Sequence, residues 1–172
     1  MEILGTKCTL RPFRHGDEER LAQLADNRKI WRNMADNFAH PYTLEAARAW
    51  IGEHSDVPEP RTHFAITSDD ALIGGTGFTV QTDIHRTTVR AGYWVGEPYW
   101  GRGIATEAFT MLTRYIFANF EDIMRIEATV FAWNPASCRV LEKCGFTHEL
   151  LLRKYAIKDG TVADMHLYAL LR

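Results

Sequence analysis

Cysteine is scarce in this chain of 172 residues: Cys8, Cys138 and Cys144, with no Cys-x-x-Cys pair. Three thiols cannot all be bridged within one chain, which argues against a disulfide-stapled scaffold and leaves reduced core cysteines as the expectation. Charge of one sign is also missing, since 20 Lys and Arg stand against 22 Asp and Glu for a net charge of −2. No basic field for nucleic acid and no polybasic patch for a membrane surface follow from such a balance, so neither partner is expected. No apolar run reaches the roughly 20 residues that span a bilayer. The segment Met1–Lys7 lacks a basic region followed by an apolar one, and a cytoplasmic location is expected. The 7 histidines are scattered without helical metal-site spacing beside a carboxylate, so no metal is expected. Repeats and low-complexity runs are absent too, and 46% hydrophobic residues suit one core over residues 1–172.

What is present reads as the order βααβββαβαββ. Asp17 to Met34 carries Leu21, Leu24, Ala25 and Trp31 at helical spacings, and Thr43 caps a second helix to His54 through Leu44, Ala47 and Ile51. Between them, Ala35 to Tyr42 is a loop with aromatic and polar tips. The linker Ser55 to Pro60 is too rich in proline and acid to stay helical. Strands are expected over Thr62–Thr67, Leu72–Thr82 and Thr87–Gly96, with Asp83 to Arg86 as a hairpin turn. Gly74, Gly75 and Gly77 weaken the second of these and point to a bulge or a close backbone approach. A further hairpin turns at Asp159-Gly160 between Phe146–Lys158 and Thr161–Leu171.

The richest stretch is Tyr99-Trp100-Gly101-Arg102-Gly103-Ile104-Ala105-Thr106-Glu107-Ala108, a glycine turn opening into an amphipathic helix. Two glycines let backbone approach a ligand, and the first turn of a helix leaves unpaired N–H groups where the macrodipole is positive. A dinucleotide fingerprint needs a third glycine where Thr106 stands, and a nucleotide P-loop needs Gly-Lys-Ser/Thr, which is missing. Phosphate binding and a plain glycine turn both remain open from this motif alone. The helix from Gly103 to Asn119 turns Ala105, Ala108, Phe109, Leu112 and Ile116 to a core.

Downstream, the strand Ile126–Phe131 runs into Asn134-Pro135-Ala136-Ser137, a short helix with both ends signed. Asn134 fits the N-cap, Pro135 the first helical position and Gly145 the left-handed residue past the end.

With these segments in order, the chain resembles the GNAT superfamily of acyl-CoA-dependent N-acyltransferases, in its RimJ/RimL-type branch. The likeness runs from Cys8-Thr9-Leu10-Arg11-Pro12 through Gly92-Tyr93-Trp94-Val95, Tyr99 to Ala108, Asn134-x-x-Ser137 and Leu141-Glu142-Lys143-x-Gly145-Phe146 to Asp164-x-x-x-Tyr168-x-Leu170-Leu171. It implies a mixed α/β single-domain fold and acetyl-CoA as cosubstrate, with an amine acceptor on the opposite side of splayed central strands. The superfamily's pyrophosphate loop, Gln/Arg-x-x-Gly-x-Gly/Ala, has Trp100 in its first place and keeps Gly103 and Ala105. Backbone N–H groups of Gly101, Arg102, Gly103, Ile104, Ala105 and Thr106 are then the expected diphosphate donors, with the Arg102 side chain as an auxiliary charge.

The implied chemistry is attack of an amine on the acetyl thioester. An α-amine has a reference pKa near ~8 and a lysine amine near ~10.4, so a protein N-terminus asks less of the site. The resemblance assigns oxyanion donation to backbone N–H at Trp94 to Val95. The tyrosine that many members use as acid toward the leaving thiolate is replaced by Leu141, and the branch's alternative is Ser137. That serine could equally cap its own backbone. Asn134 divides between capping and a hydrogen bond to the pantetheine arm. Positions where relatives carry a glutamate base hold Arg90 and Ala156, leaving Glu97 as first choice and water as the other route. A protein N-terminal α-amine is the leading acceptor, with a polyamine or aminoglycoside as alternative and a non-catalytic CoA-binding module as another class. Apolar residues on the last strands would permit a homodimer.

Overall fold

The computed structural model describes residues 1–172. Eight strands form one sheet: β1 (Ile3–Leu4), β2 (Thr9–Arg11), β3 (His63–Ser68), β4 (Ala71–Val80), β5 (Thr88–Val95), β6 (Arg125–Phe131), β7 (Thr147–Lys158) and β8 (Thr161–Leu171). Their order is β1-β2-β3-β4-β5-β6-β8-β7, and every neighbouring pair is antiparallel except β5 and β6. Five helices complete the chain: α1 (Glu18–Ala25), α2 (Arg28–Trp31), α3 (Leu44–His54), α4 (Ile104–Asn119) and α5 (Pro135–Lys143). The expected order holds apart from an additional first strand and an additional helix.

The additional helix comes from a break in the segment read as one helix from Asp17 to Met34. Asn27 adopts an extended backbone and its side chain accepts from the Lys29 N–H, so a new helix is capped where the old one would have continued. Asp17, at the head of α1, makes no cap bond because both of its carboxylate oxygens accept from the buried Arg11 guanidinium at 2.7 and 2.8 Å. The turn expected at Asp83 to Arg86 is a short 3₁₀ turn over Asp83–His85. At the other hairpin, Asp159 and Gly160 both take positive φ, +52° and +72°, the backbone that two-residue hairpins require.

Two layers of core cover the sheet. On one face Leu10, Phe64, Ile66, Ile73, Val89 and Ile126 pack on α4, whose Ala108, Phe109, Leu112 and Ile116 are fully enclosed. On the other, Phe13, Leu21, Ala47, Ile51 and Leu72 gather α1 and α3.

The parallel pairing is short and matters most. It joins Thr88, Val89 and Arg90 to Arg125, Ile126 and Glu127, and then stops. Beyond it β5 stays with β4 as far as Val95, while β6 leaves with β8 as far as Phe131, paired with Met165. Right-handed twist accumulated on each side separates the two strand ends and opens a cleft in the middle of the sheet.

Candidate active site

The cleft between β5 and β6 holds a cavity of about 670 Å³, lined by Ala91 to Val95 of β5, Ala128 to Phe131 of β6 and the starts of α4 and α5. Its donors come from backbone. Gly96 N–H bonds to Ile73 O at 2.8 Å, so ladder alternation turns the Trp94 N–H to β4 and the Tyr93 and Val95 N–H groups into the cleft. Of the Trp94 to Val95 pair expected to hold the oxyanion, Val95 therefore presents its amide and Trp94 does not. The Val95 carbonyl is occupied by the Trp100 indole N–H at 2.6 Å, which gives the substituted first loop residue a structural task.

At the head of α4 the glycines take the conformations that only they adopt freely: φ is +75° at Gly101 and +76° at Gly103, the residue that precedes the helix. From Gly101 to Thr106 no N–H finds an acceptor within the protein, leaving six consecutive donors at a helix start. Two neighbours hold this loop in place. Lys7 Nζ donates to the Arg102 carbonyl at 3.2 Å, and the Glu107 carboxylate accepts from the N–H groups of Thr6, Lys7 and Cys8 at 3.0, 2.7 and 3.0 Å. Partial burial pushes the Glu107 carboxyl up, but the Thr6 hydroxyl and these backbone bonds overcome it and bring it down from 4.5 to about 2.

Four cations line the cavity: Lys29 and Arg32 from the α2 region, Arg139 and Lys143 from α5. No aspartate or glutamate does. A diphosphate with a further phosphate, as in coenzyme A, suits unpaired amides surrounded by positive side chains. Spacing could have revealed Arg139 and Lys143, which lie four residues apart on one face of α5; Lys29 and Arg32 carry no such signal.

Across the cleft, Asn134 caps α5 by accepting from the Ser137 N–H at 3.3 Å. The Ser137 hydroxyl does not cap its own backbone. It lies 2.9 Å from the Tyr93 hydroxyl, a pairing between β5 and α5 that no sequence spacing announces. Burial pushes the Tyr93 phenol up to about 12 and outweighs the opposing effect of Ser137, so it stays protonated at neutral pH.

Seven of the expected residues beyond the two strand residues thus converge on one cavity: Gly101, Gly103, Ile104, Ala105, Thr106, Asn134 and Ser137. Two do not. The Arg102 side chain stacks 5.6 Å from the Tyr99 ring centroid, outside the lining. Glu97, expected as the base, pairs with Lys29 and accepts from Asn27 Nδ2 at 2.7 Å, and these partners hold its carboxyl below the usual glutamate range. A carboxylate so stabilised has lost proton affinity, and Glu97 lines neither cavity of the central cleft. It ties the turn after β5 to α2.

A split parallel pair with six free amides at the following helix defines an acyltransferase of the kind that grips a CoA thioester by its diphosphate. The chain belongs to the acetyltransferase (GNAT) domain family, whose model matches residues 7–147. Among curated relatives, "Probable N-acetyltransferase YjcK" of Bacillus subtilis (strain 168) is 34% identical over 178 residues, covering 98% of this chain and 96% of its own. In fold, RimJ of Mycobacterium smegmatis, solved with a CoA disulfide, superposes with a TM-score of 0.85 at 24% identity, over 99% of this chain and 87% of its own. RimL, a ribosomal L7/L12 alpha-N-protein acetyltransferase solved with coenzyme A, gives 0.82 at 21%, over 98% and 96%. The protein is an acetyl-CoA-dependent N-acetyltransferase. No helix in it is long and apolar enough to cross a membrane.

Proposed function

We propose that the acceptor is a protein N-terminal α-amine, acetylated by direct attack on acetyl-CoA in the central cleft. The observation that carries this reading is the absence of aspartate and glutamate from the lining of both cavities that share Gly92, Tyr93 and Trp94. A polyamine or aminoglycoside arrives with several positive charges and needs carboxylates to replace its water. An amine of pKa near ~8 arrives partly neutral and needs none. RimL, an alpha-N-protein acetyltransferase of the same fold, points the same way.

In this reading the amides from Gly101 to Thr106 hold the diphosphate, with Arg32, Arg139 and Lys143 around the phosphates. Asn134, while capping α5, offers its amide to the pantetheine arm. The Val95 N–H donates to the carbonyl oxygen as it gains charge. Nitrogen bonds to the carbonyl carbon, the carbon–sulfur bond breaks, and the sulfur receives a hydrogen bond from Ser137, whose oxygen is supplied in turn by the Tyr93 phenol. The proton of the attacking amine leaves to water, since Glu97 is engaged elsewhere.

The test is thiol release from acetyl-CoA with a panel of N-terminal peptides, their Nα-blocked lysine-containing counterparts, and spermidine. Free N-termini are expected to be the substrates. Turnover of spermidine or of blocked peptides at equal or greater kcat/KM would refute the proposal.

A further inference from the structure

A second cavity, of about 300 Å³, lies on the face of β4 and β5 that carries α1 and α3, and it shares Met34, Ala35, Gly92, Tyr93 and Trp94 with the lining of the first. Its floor runs over three glycines, Gly75, Gly77 and Gly92. A Cβ on Gly75 would stand 2.8 Å from Trp94 Nε1, and one on Gly77 would stand 2.5 Å from His63 Cδ2, so each glycine lets a flat ring lie down on the strand. Gly92 differs: nothing lies within 4 Å of where its Cβ would be. Strand alternation puts that direction on the Trp94 side, so the missing side chain is open space within the cavity.

The walls are rings. Phe38 lies 4.9 Å from Tyr42 and 5.9 Å from Trp94 between centroids, and Trp50 meets His63 edge-on at 5.4 Å. Burial and the neighbouring His54 push His63 down to about 4, and burial pushes Tyr42 up to about 12, so both are neutral at pH 7. One charge remains in the lining, the exposed guanidinium of Arg90, whose nearest carboxylate is Glu127 at 3.9 Å.

A space this wide, walled by aromatic faces and edges, is not matched by a serine or alanine side chain, which would leave most of the ring surface without a partner. From this we infer that the acceptor presents a large apolar first side chain, aromatic for preference, which fills the glycine-floored box while its α-amine reaches the cleft at Trp94. The inference rests on the α-amine reading above and adds the identity of the group beside the nitrogen.

The experiment uses the whole protein with five-residue peptides identical except for a first residue of Phe, Leu, Ser or Ala, scored by kcat/KM for thiol release. The Phe peptide is expected to exceed the Ser and Ala peptides by about tenfold or more, with Leu between. Gly92→Leu, whose Cβ has nothing within 4 Å, is expected to abolish the Phe preference while acetyl-CoA still binds by calorimetry; Trp50→Ala should narrow it. Ser or Ala peptides equal to or better than Phe would overturn the inference and leave the α-amine reading standing. An unchanged Phe preference in a folded Gly92→Leu protein would also overturn it. Failure of every free N-terminus, with spermidine or a blocked lysine peptide acetylated, would overturn the α-amine reading and this inference with it.

Discussion

Glu107 offers a quantitative test of how the glycine loop before α4 is held. It sits in the first turn of α4 and binds three backbone N–H groups and the hydroxyl of the Thr6–Cys8 segment, the same segment from which Lys7 reaches the Arg102 carbonyl. Folding lowers its carboxyl from 4.5 to about 2, and at ~1.4 kcal/mol per pH unit this corresponds to roughly 3 kcal/mol of stability. Glu107 is half-buried, and solvent screening reduces that figure to roughly 2–3 kcal/mol. The sign follows from a depressed folded value: the contribution is complete above the unfolded pKa and is lost as pH falls from about 4.5 through about 2. Glu107→Gln keeps the shape and removes the charge. In thermal unfolding at pH 7 it is expected to melt about 4–12 °C lower than the parent, at ~2–4 °C per kcal/mol for a chain of this size. The gap should shrink as the pH is taken below 4.5, measured by urea unfolding in the same buffer series. An equal Tm at pH 7, or a gap that widens in acid, would refute the reasoning.

Lys7→Met frees the Arg102 carbonyl and lets the peptide that aims the Gly103 N–H rotate; one hydrogen bond at ~0.5–1.5 kcal/mol predicts a KM for acetyl-CoA raised about 2–12-fold with kcat unchanged. A fall in kcat at constant KM would count against it. Gly103→Val places a β-branched residue at φ +76°, with its Cβ 2.6 Å from Lys7 Nζ. The left-handed backbone alone costs ~1–2 kcal/mol, and acetyl-CoA binding by calorimetry should disappear. Ser137→Ala is expected to lower kcat by roughly 10–100-fold. Adding Tyr93→Phe to it should change little further if the two hydroxyls, 2.9 Å apart, act as the proposed relay; additive losses would separate them. Acetyl-CoA affinity should also weaken as salt rises from 50 to 500 mM, since exposed Lys and Arg around the cavity are screened.

Much of the fold was written locally. Asn134-Pro135 with Gly145 marks both ends of α5, and Asp159-Gly160 marks the last hairpin, because caps and turns are decided by a few adjacent residues. The glycine turn with its unpaired amides was legible for the same reason: a helix start with Gly101 and Gly103 makes its own donors. The break after Ala25 was missed because helical spacing of Leu21 to Trp31 continues across it, and only the Asn27 side chain, claimed by Lys29 N–H and Glu97, reveals the second start.

The candidate site divides along that line. Sequence alone determined the amide donors, the capping asparagine and the absence of the usual tyrosine and glutamate, all properties of short contiguous stretches. Tertiary structure decided what those groups meet: Ser137 beside Tyr93 rather than its own backbone, Glu97 spent on Lys29, and Trp94 and His63 laid over Gly75 and Gly77. Each of those contacts joins elements far apart in the chain, brought together by the sheet order and the early end of the β5–β6 pairing. Register and twist govern such meetings, and no local spacing encodes them.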